Sequence, residues 1–233
     1  MKRISLIVPC LNEEEAIPAF KQEIDRVFKE CLEGYAPELI FVDDGSTDRS
    51  LEMIKKMAEH SPEVKFISFS RNFGKEAAIY AGLEAATGDY AAVMDVDLQD
   101  PPSLLPDMLK AIEKEGYDCA GTRRVTRQGE PLLRSFFARA FYKTIHQISD
   151  TRIVDGARDY KLMTRPVLEA LLSLKEYNRF SKGLYEWVGF RTKWFEYENV
   201  ERVAGETKWS FFKLFLYSIE GIVAFSTAPL ALA

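Results

Sequence analysis

Two aspartates spaced Asp95-x-Asp97, with Gln99 two residues further on, make the segment of this chain best suited to chemistry. Side chains two apart in an extended segment project to the same side. Two carboxylates placed in that way, with an amide oxygen beside them, suit a hard divalent cation, Mg²⁺ or Mn²⁺. Such an ion keeps positions open for a substrate diphosphate. The same spacing also occurs in solvated loops, so its place in the fold has to decide between the two. A second acidic pair, Asp43-Asp44, runs into Gly45-Ser46-Thr47-Asp48. This segment reads as a turn in which Ser46 or Thr47 caps a helix running through Leu51, with Asp48 as a first-turn charge. Adjacent acids at the end of a buried strand repel one another unless a base, a ribose or a cation uses them.

Carboxylates must carry any catalysis, because the alternatives are scarce. His60 and His146 are the only histidines, and Cys10, Cys31 and Cys119 have no C-x-x-C spacing. That pattern argues against a zinc site, a disulfide framework and Ser-His-Asp chemistry, and it fits a reducing compartment. Net charge is −5, yet residues 121–165 carry ten Lys/Arg against four Asp/Glu, which is +6 and leaves −11 for the rest. A basic patch of this kind binds anionic lipid or a phosphorylated small molecule, and the acidic remainder argues against nucleic acid as a partner. Taken singly, Arg124, Arg127, Arg139 and Lys143 also read as a solvated helix face.

The elements that must position these groups follow from hydrophobic periodicity. The chain has 233 residues, 47% hydrophobic and 29% charged, an ordinary globular composition. Ile4 to Val8, Leu39 to Val42, Val64 to Phe69 and Tyr90 to Met94 read as short buried strands. Between them lie helical patterns: a face of Ile17, Phe20, Ile24, Val27, Phe28 and Cys31, then Leu51, Ile54 and Met57, then Ala77 to Ala86. Leu104 to Glu115 follows a Pro-Pro start suited to a first helical turn. Alternation of this kind predicts an α/β fold with a mostly parallel sheet flanked by helices. In such a sheet the ligand site lies beyond the carboxyl ends of the strands. Each of the four strand ends is polar, with Asn12-Glu13, Asp43-Asp44, Asn72-Phe73-Gly74-Lys75 and Asp95-x-Asp97 in turn. In the second half, Arg134 to Ile148 and Arg165 to Leu174 read as helices and Thr192 to Tyr197 as a strand. Trp187, Phe190 and Trp194 read as core.

Pro9-x-x-Asn12-Glu13, Asp43-Asp44-Gly45-Ser46, Asn72-Phe73-Gly74-Lys75 and Asp95-x-Asp97-Leu98-Gln99-Asp100-Pro101-Pro102, in that order, resemble family 2 glycosyltransferases of the GT-A type. They are most similar to the dolichyl-phosphate mannose synthase and bactoprenol glucosyltransferase branch. Likeness continues through Gly121-Thr122-Arg123, Arg158-Asp159-Tyr160-Lys161-Leu162-Met163, Trp187-Val188-Gly189-Phe190, Glu201-Arg202-x-x-Gly205-x-Thr207-Lys208-Trp209 and Phe225-Ser226-x-x-Pro229-Leu230. The resemblance implies that Pro9, Glu13 and Asp43 contact the nucleotide, with Asp44 close by and Lys75 in the donor-binding set. Asp95, Asp97 and Gln99 would hold Mg²⁺ or Mn²⁺. Arg123, Arg202 and Lys208 would bind the donor diphosphate and the acceptor phosphate. Asp159, Asp97 and Arg202 would carry catalysis, with Asp159 either taking a proton or orienting a neighbouring cation. Many relatives read Gly-Asp-Phe-Arg where this chain has Arg158-Asp159-Tyr160-Lys161, so the resemblance assigns Arg158 no role.

The implied reaction is inverting transfer of a sugar from a UDP- or GDP-sugar to a polyprenyl phosphate at the cytoplasmic face of the cell membrane. The expected layout is a catalytic domain over 1–208, nucleotide-binding in 1–118 and acceptor-binding in 119–208, with a membrane-interface helix over 209–233. Trp209, Phe211, Phe212 and Phe215 interleaved with Lys208 and Lys213 suit such a helix, with core packing the rival. The apolar run from Gly221 to Ala233 is too short to span a bilayer of ~30 Å, and membrane-spanning helices are expected beyond it. A homo-oligomer stays open. Three other readings compete: a glycosyltransferase acting on a soluble glycan, a phosphatase using the Asp-x-Asp pair, and a non-catalytic membrane-docked binding module.

Overall fold

A computed structural model describes residues 1–124, 154, 156–197 and 223–225. The elements are β1 (Lys2–Cys10), α1 (Ile17–Cys31), β2 (Tyr35–Asp43), α2 (Ser50–His60), β3 (Val64–Ser68), α3 (Lys75–Ala85), β4 (Tyr90–Val93), a 3₁₀ turn (Pro102–Leu104) and α4 (Leu105–Glu115). They continue with β5 (Cys119–Arg124), β6 (Ala157–Thr164), α5 (Arg165–Ser173), α6 (Ser181–Trp187) and β7 (Thr192–Tyr197). The seven strands form one sheet in the order β3-β2-β1-β4-β6-β5-β7. Ladders β1/β2, β1/β4, β2/β3 and β5/β7 are parallel, whereas β6 runs antiparallel to both β4 and β5.

Alternation of side chains along the strands divides the core in two. Ile4, Leu6, Val8, Leu39 and Phe41 pack with Tyr160 and Leu162 under α1, α2 and α4. Ile7, Ile40, Val42 and Val93 pack with Met163 under α3, α5 and α6 on the opposite face. Helix α1 shows why these elements dock: Ile17, Phe20, Ile24, Val27 and Phe28 recur at helical spacing and are all buried. Removing side chains of that size from water contributes about 1.5–3 kcal/mol each. Pro102 opens the 3₁₀ turn, as its fixed φ suits a first turn, and Gly116 ends α4 in the left-handed conformation.

Three expectations are revised. Ser46 and Thr47 do not cap α2, which begins at Ser50 with Arg49 at its N-cap and no cap bond from the Arg49 side chain. Asp48 Oδ1 instead accepts the Ser50 N–H at 2.9 Å, while Ser46 Oγ accepts the Asn12 N–H at 2.9 Å and so ties the β1 and β2 ends together. Trp187 is 59% exposed rather than core. Residues 157–164, read only as a motif, form a strand. The helix expected over 134–148 and most of 209–233 lie outside the described residues. Among those described, no helix is long and apolar enough to cross a membrane.

Candidate active site

The parallel strands β1 to β4 all end at one edge of the sheet, and the antiparallel direction of β6 starts it at that same edge. Register makes this concrete: Cys10 pairs with Asp43, Asp43 with Ser68, Val93 with Lys161, and Arg123 with Ala157. Pro9, Glu13, Asp43, Asp44, Lys75, Asp95, Asp97, Gln99, Arg123 and Asp159 therefore gather along one rim, although they come from six separate segments. Arg202 and Lys208 lie outside the described residues.

At the β1 and β2 ends, Asn12 adopts φ 51° and its side-chain oxygen accepts the Thr47 N–H at 2.7 Å. The Glu13 N–H donates to Ser50 Oγ at 2.7 Å. Beside these lies a recess of about 170 Å³ lined by Asn12, Glu13, Glu14, Glu15 and Asp48. Its acidic wall suits ribose hydroxyls and base N–H groups and repels phosphate. Gly45 is required where this loop meets the next: at φ 72°, a Cβ there would lie 2.5 Å from the Arg71 carbonyl carbon.

At the end of β4, Asp97 is buried and Asp95 half-buried. Leu98 between Asp97 and Gln99 takes φ 56°, a strained conformation for a bulky residue. That turn lets Asp97 Oδ1 accept the Gln99 N–H at 3.1 Å. Lys75, the first residue of α3, reaches back to the same place, its Nζ 2.6 Å from Asp95 Oδ1 and 2.5 Å from Asp159 Oδ2. Residues 5–172 match the family model described as glycosyl transferase family 2.

The chain belongs to glycosyltransferase family 2.

This glycosyltransferase is 42% identical over 228 residues to a prophage bactoprenol glucosyl transferase homolog of Escherichia coli K12, covering 98% of this chain and 74% of the relative. It is also 42% identical over 228 residues to the bactoprenol glucosyl transferase of Shigella phage SfV, covering 98% and 73%. Its fold matches glucosyl-3-phosphoglycerate synthase from Mycobacterium tuberculosis, solved with Mn²⁺ and UDP-glucose. That match has a TM-score of 0.59 at 19% identity and covers 95% of this chain and 77% of the other. The GT-A fold expected from the sequence is thereby established.

Electrostatics separate the roles of the acidic residues in this glycosyltransferase. Asp44 accepts the Phe73 N–H at 2.6 Å and the Gly74 N–H at 3.0 Å, so it holds the β3–α3 loop. Burial, reinforced by Asp43, still outweighs those bonds and raises its carboxyl pKa. Among the described residues, the Asp43 carboxylate makes longer contacts, accepting from the Ser46 N–H at 3.3 Å and Ser68 Oγ at 3.5 Å. Burial alone would raise Asp159, but Lys75, Lys182 and Arg158 overcome it and hold that carboxyl well below the usual range. Lys75 is raised in turn, because Asp159 and Asp95 outweigh its own desolvation.

Arg158 and Tyr197 are functional-site neighbours that sequence reasoning missed. Arg158 Nε donates to Asp100 Oδ1 at 2.9 Å, and the Tyr197 hydroxyl donates to the same oxygen. Asp100, 1% exposed, thus ties the loop carrying Asp95 and Asp97 to β6 and β7. Alternation through Tyr160 and Leu162 was the available signal, because it puts Arg158 on the α1/α4 face and Asp159 on the other. Arg123, expected at the diphosphate, pairs with Glu196 on β7.

The residues suit a divalent ion by their chemistry. Among those described, no cluster of three or more His, Cys, Asp and Glu is arranged to hold a metal. Asp95, Asp97 and the Gln99 amide nevertheless offer oxygen donors only, the set preferred by Mg²⁺ and Mn²⁺. Asp95 already carries a cation, the Lys75 ammonium.

Proposed function

We propose that this glycosyltransferase moves a sugar from a UDP- or GDP-sugar to a polyprenyl phosphate at the cytoplasmic membrane face, by direct displacement with inversion and with Mg²⁺ or Mn²⁺. The observation that carries this reading is the shared rim: carboxylates from β2, β4 and β6 and cations from α3 and β6 meet at one sheet edge. Two relatives at 42% identity bear the name bactoprenol glucosyl transferase or its homolog, which supports the lipid acceptor.

In this reading Pro9, Glu13 and Asp43 line the nucleoside site, and Asp95, Asp97 and Gln99 hold the ion. The ion supplies charge neutralisation to the departing nucleotide diphosphate. Arg123, Arg202 and Lys208 bind the diphosphate and the acceptor phosphate. A phosphate monoester with second pKa ~6 is already largely anionic at neutral pH, so the nucleophile requires no strong base. Asp159, with its pKa depressed by Lys75 and Lys182, is a correspondingly weak base. Its part is to orient those two cations beside the reacting phosphates, so catalysis comes from placement of charge and reactants. A phosphatase using Asp-x-Asp as a nucleophile pair is disfavoured, because the pair ends the fourth strand and Asp95 is occupied by an ammonium.

Asp97→Asn tests the ligand assignment. Transfer of labelled sugar to undecaprenyl phosphate in Mn²⁺ should fall about 10²–10³-fold, the scale of losing one preorganised stabiliser of developing charge. A loss of only a few-fold would remove Asp97 from the ion site.

A further inference from the structure

Lys75 stands between two carboxylates that the proposed chemistry uses for different purposes. Its Nζ lies 2.6 Å from Asp95 Oδ1 on the β4 loop and 2.5 Å from Asp159 Oδ2 on β6. An ammonium at that distance engages the carboxylate lone pair that a divalent ion would take, and its charge repels the ion. Helix stability does not explain its position. Lys75 is the first residue of α3, where the helix dipole favours a negative side chain. Its side chain is 30% exposed, so an incoming anion can reach it. Asp159 has a second cation in reserve, Lys182 Nζ at 4.0 Å from Oδ1, so it remains paired if Lys75 swings away.

We propose that the Lys75 ammonium is a resident counter-cation that keeps a divalent ion off Asp95 until a nucleoside diphosphate arrives, so that metal and donor bind together rather than metal first. The inference rests on Asp95 and Asp97 being the ion's ligands, as argued above. The incoming diphosphate offers the ammonium a new anionic partner and supplies the oxygens the ion's shell lacks. Each ligand then strengthens the other's binding by the same factor, as linkage requires. A donor-free enzyme in this state also avoids holding an ion with open positions toward water.

The test is direct Mn²⁺ binding, read by the loss of the free-ion electron paramagnetic resonance signal, with and without UDP or GDP. It compares the wild-type protein with Lys75→Gln, Lys75→Met and Lys75→Arg. Without nucleotide, the two neutral variants should bind Mn²⁺ about tenfold more tightly than wild type, and Lys75→Arg should bind as weakly as wild type. With nucleoside diphosphate the difference should shrink. Asp159 loses its nearest cation in the neutral variants, so the double variant Lys75→Met/Asp159→Asn, which removes both charges of that pair, guards against misfolding. Equal nucleotide-free Mn²⁺ affinity in wild type and in the folded neutral or double variants would overturn the proposal. Asp97→Asn in the presence of UDP separates the two claims. Loss of Mn²⁺ binding there supports the ligand assignment, and retention withdraws that assignment and the gate with it.

Discussion

Asp100 is a carboxylate that the protein has taken almost wholly out of water, and its two partners fix the geometry of the ion-binding loop. Arg158 and Tyr197 both donate to Oδ1, while Oδ2 is buried with no hydrogen-bond partner among the described residues. Tyr197→Phe should therefore cost about 1–3 kcal/mol of stability in urea unfolding and raise the KM for the sugar donor several-fold. Arg158→Ala should cost more, about 3–5 kcal/mol, because it strands a buried charge. Asp43, Asp95 and Asp97 could be found in the sequence because each follows directly on an apolar strand run, so position alone placed them. Lys75 also follows a strand, but neither its pairing nor that of Arg158 could be found that way. Their partners lie 84 and 58 residues away, and only the order of strands in the sheet brings them together. The bonds of Asp44 were hidden for a related reason: the backbone N–H groups it accepts belong to the loop after β3.

At the scale of elements, β1, β2 and β4 were legible because both their faces are covered and they read as apolar runs, while β3, at the sheet edge with Lys65 and Phe66 exposed, showed only Val64, Phe66 and Ile67. Strand β6 was not legible. It alternates Asp159, Lys161 and Met163 with Arg158, Tyr160 and Leu162, and its buried Lys161 masks an apolar pattern by pairing with Glu186 at 3.1 Å. The far end of β2 carries a comparable device, remote from the site. Glu38, 2% exposed, accepts from Ser5 Oγ at 2.5 Å, from Thr87 N–H at 2.9 Å and from Lys65 Nζ at 2.5 Å. Burial would raise its pKa, but Lys65, Ser5 and Thr87 pull it down to about 2. A depressed folded pKa gives stability that is present above the unfolded value, ~4.3, and lost as pH falls through the folded one. Glu38→Gln should accordingly destabilise the protein by about 2 kcal/mol at pH 7, with the gap from wild type closing between about pH 4.3 and pH 2. Urea midpoints across that range would show it, and a gap independent of pH would assign Glu38 a packing role instead.

Across the whole molecule, one sheet divides the labour between its two faces. The α3/α6 face carries Lys75, Asp159 and Lys182 and the α1/α4 face carries Asp100, Arg158 and Tyr197, with the Asp95 to Gln99 loop between them. The C-terminal segment touches this arrangement, since Phe225 packs against Phe180 at 6.3 Å between ring centroids and lies against Gly183 of α6. Helix α6 bears Lys182, and Ser181 at its start bonds Glu76 of α3, so Phe225 lies against the helix that carries a cation to Asp159. Most of the basic window and the Arg202 to Trp209 motif lie outside the described residues. The claim on which the account turns is the lipid phosphate acceptor, and it is tested most directly by measuring nucleotide release from UDP- and GDP-sugars in Mn²⁺ as undecaprenyl phosphate is added. Release that requires the lipid phosphate and matches the yield of lipid-linked sugar is the predicted result. Equal release without it, or transfer to a soluble glycan in its place, would contradict the account.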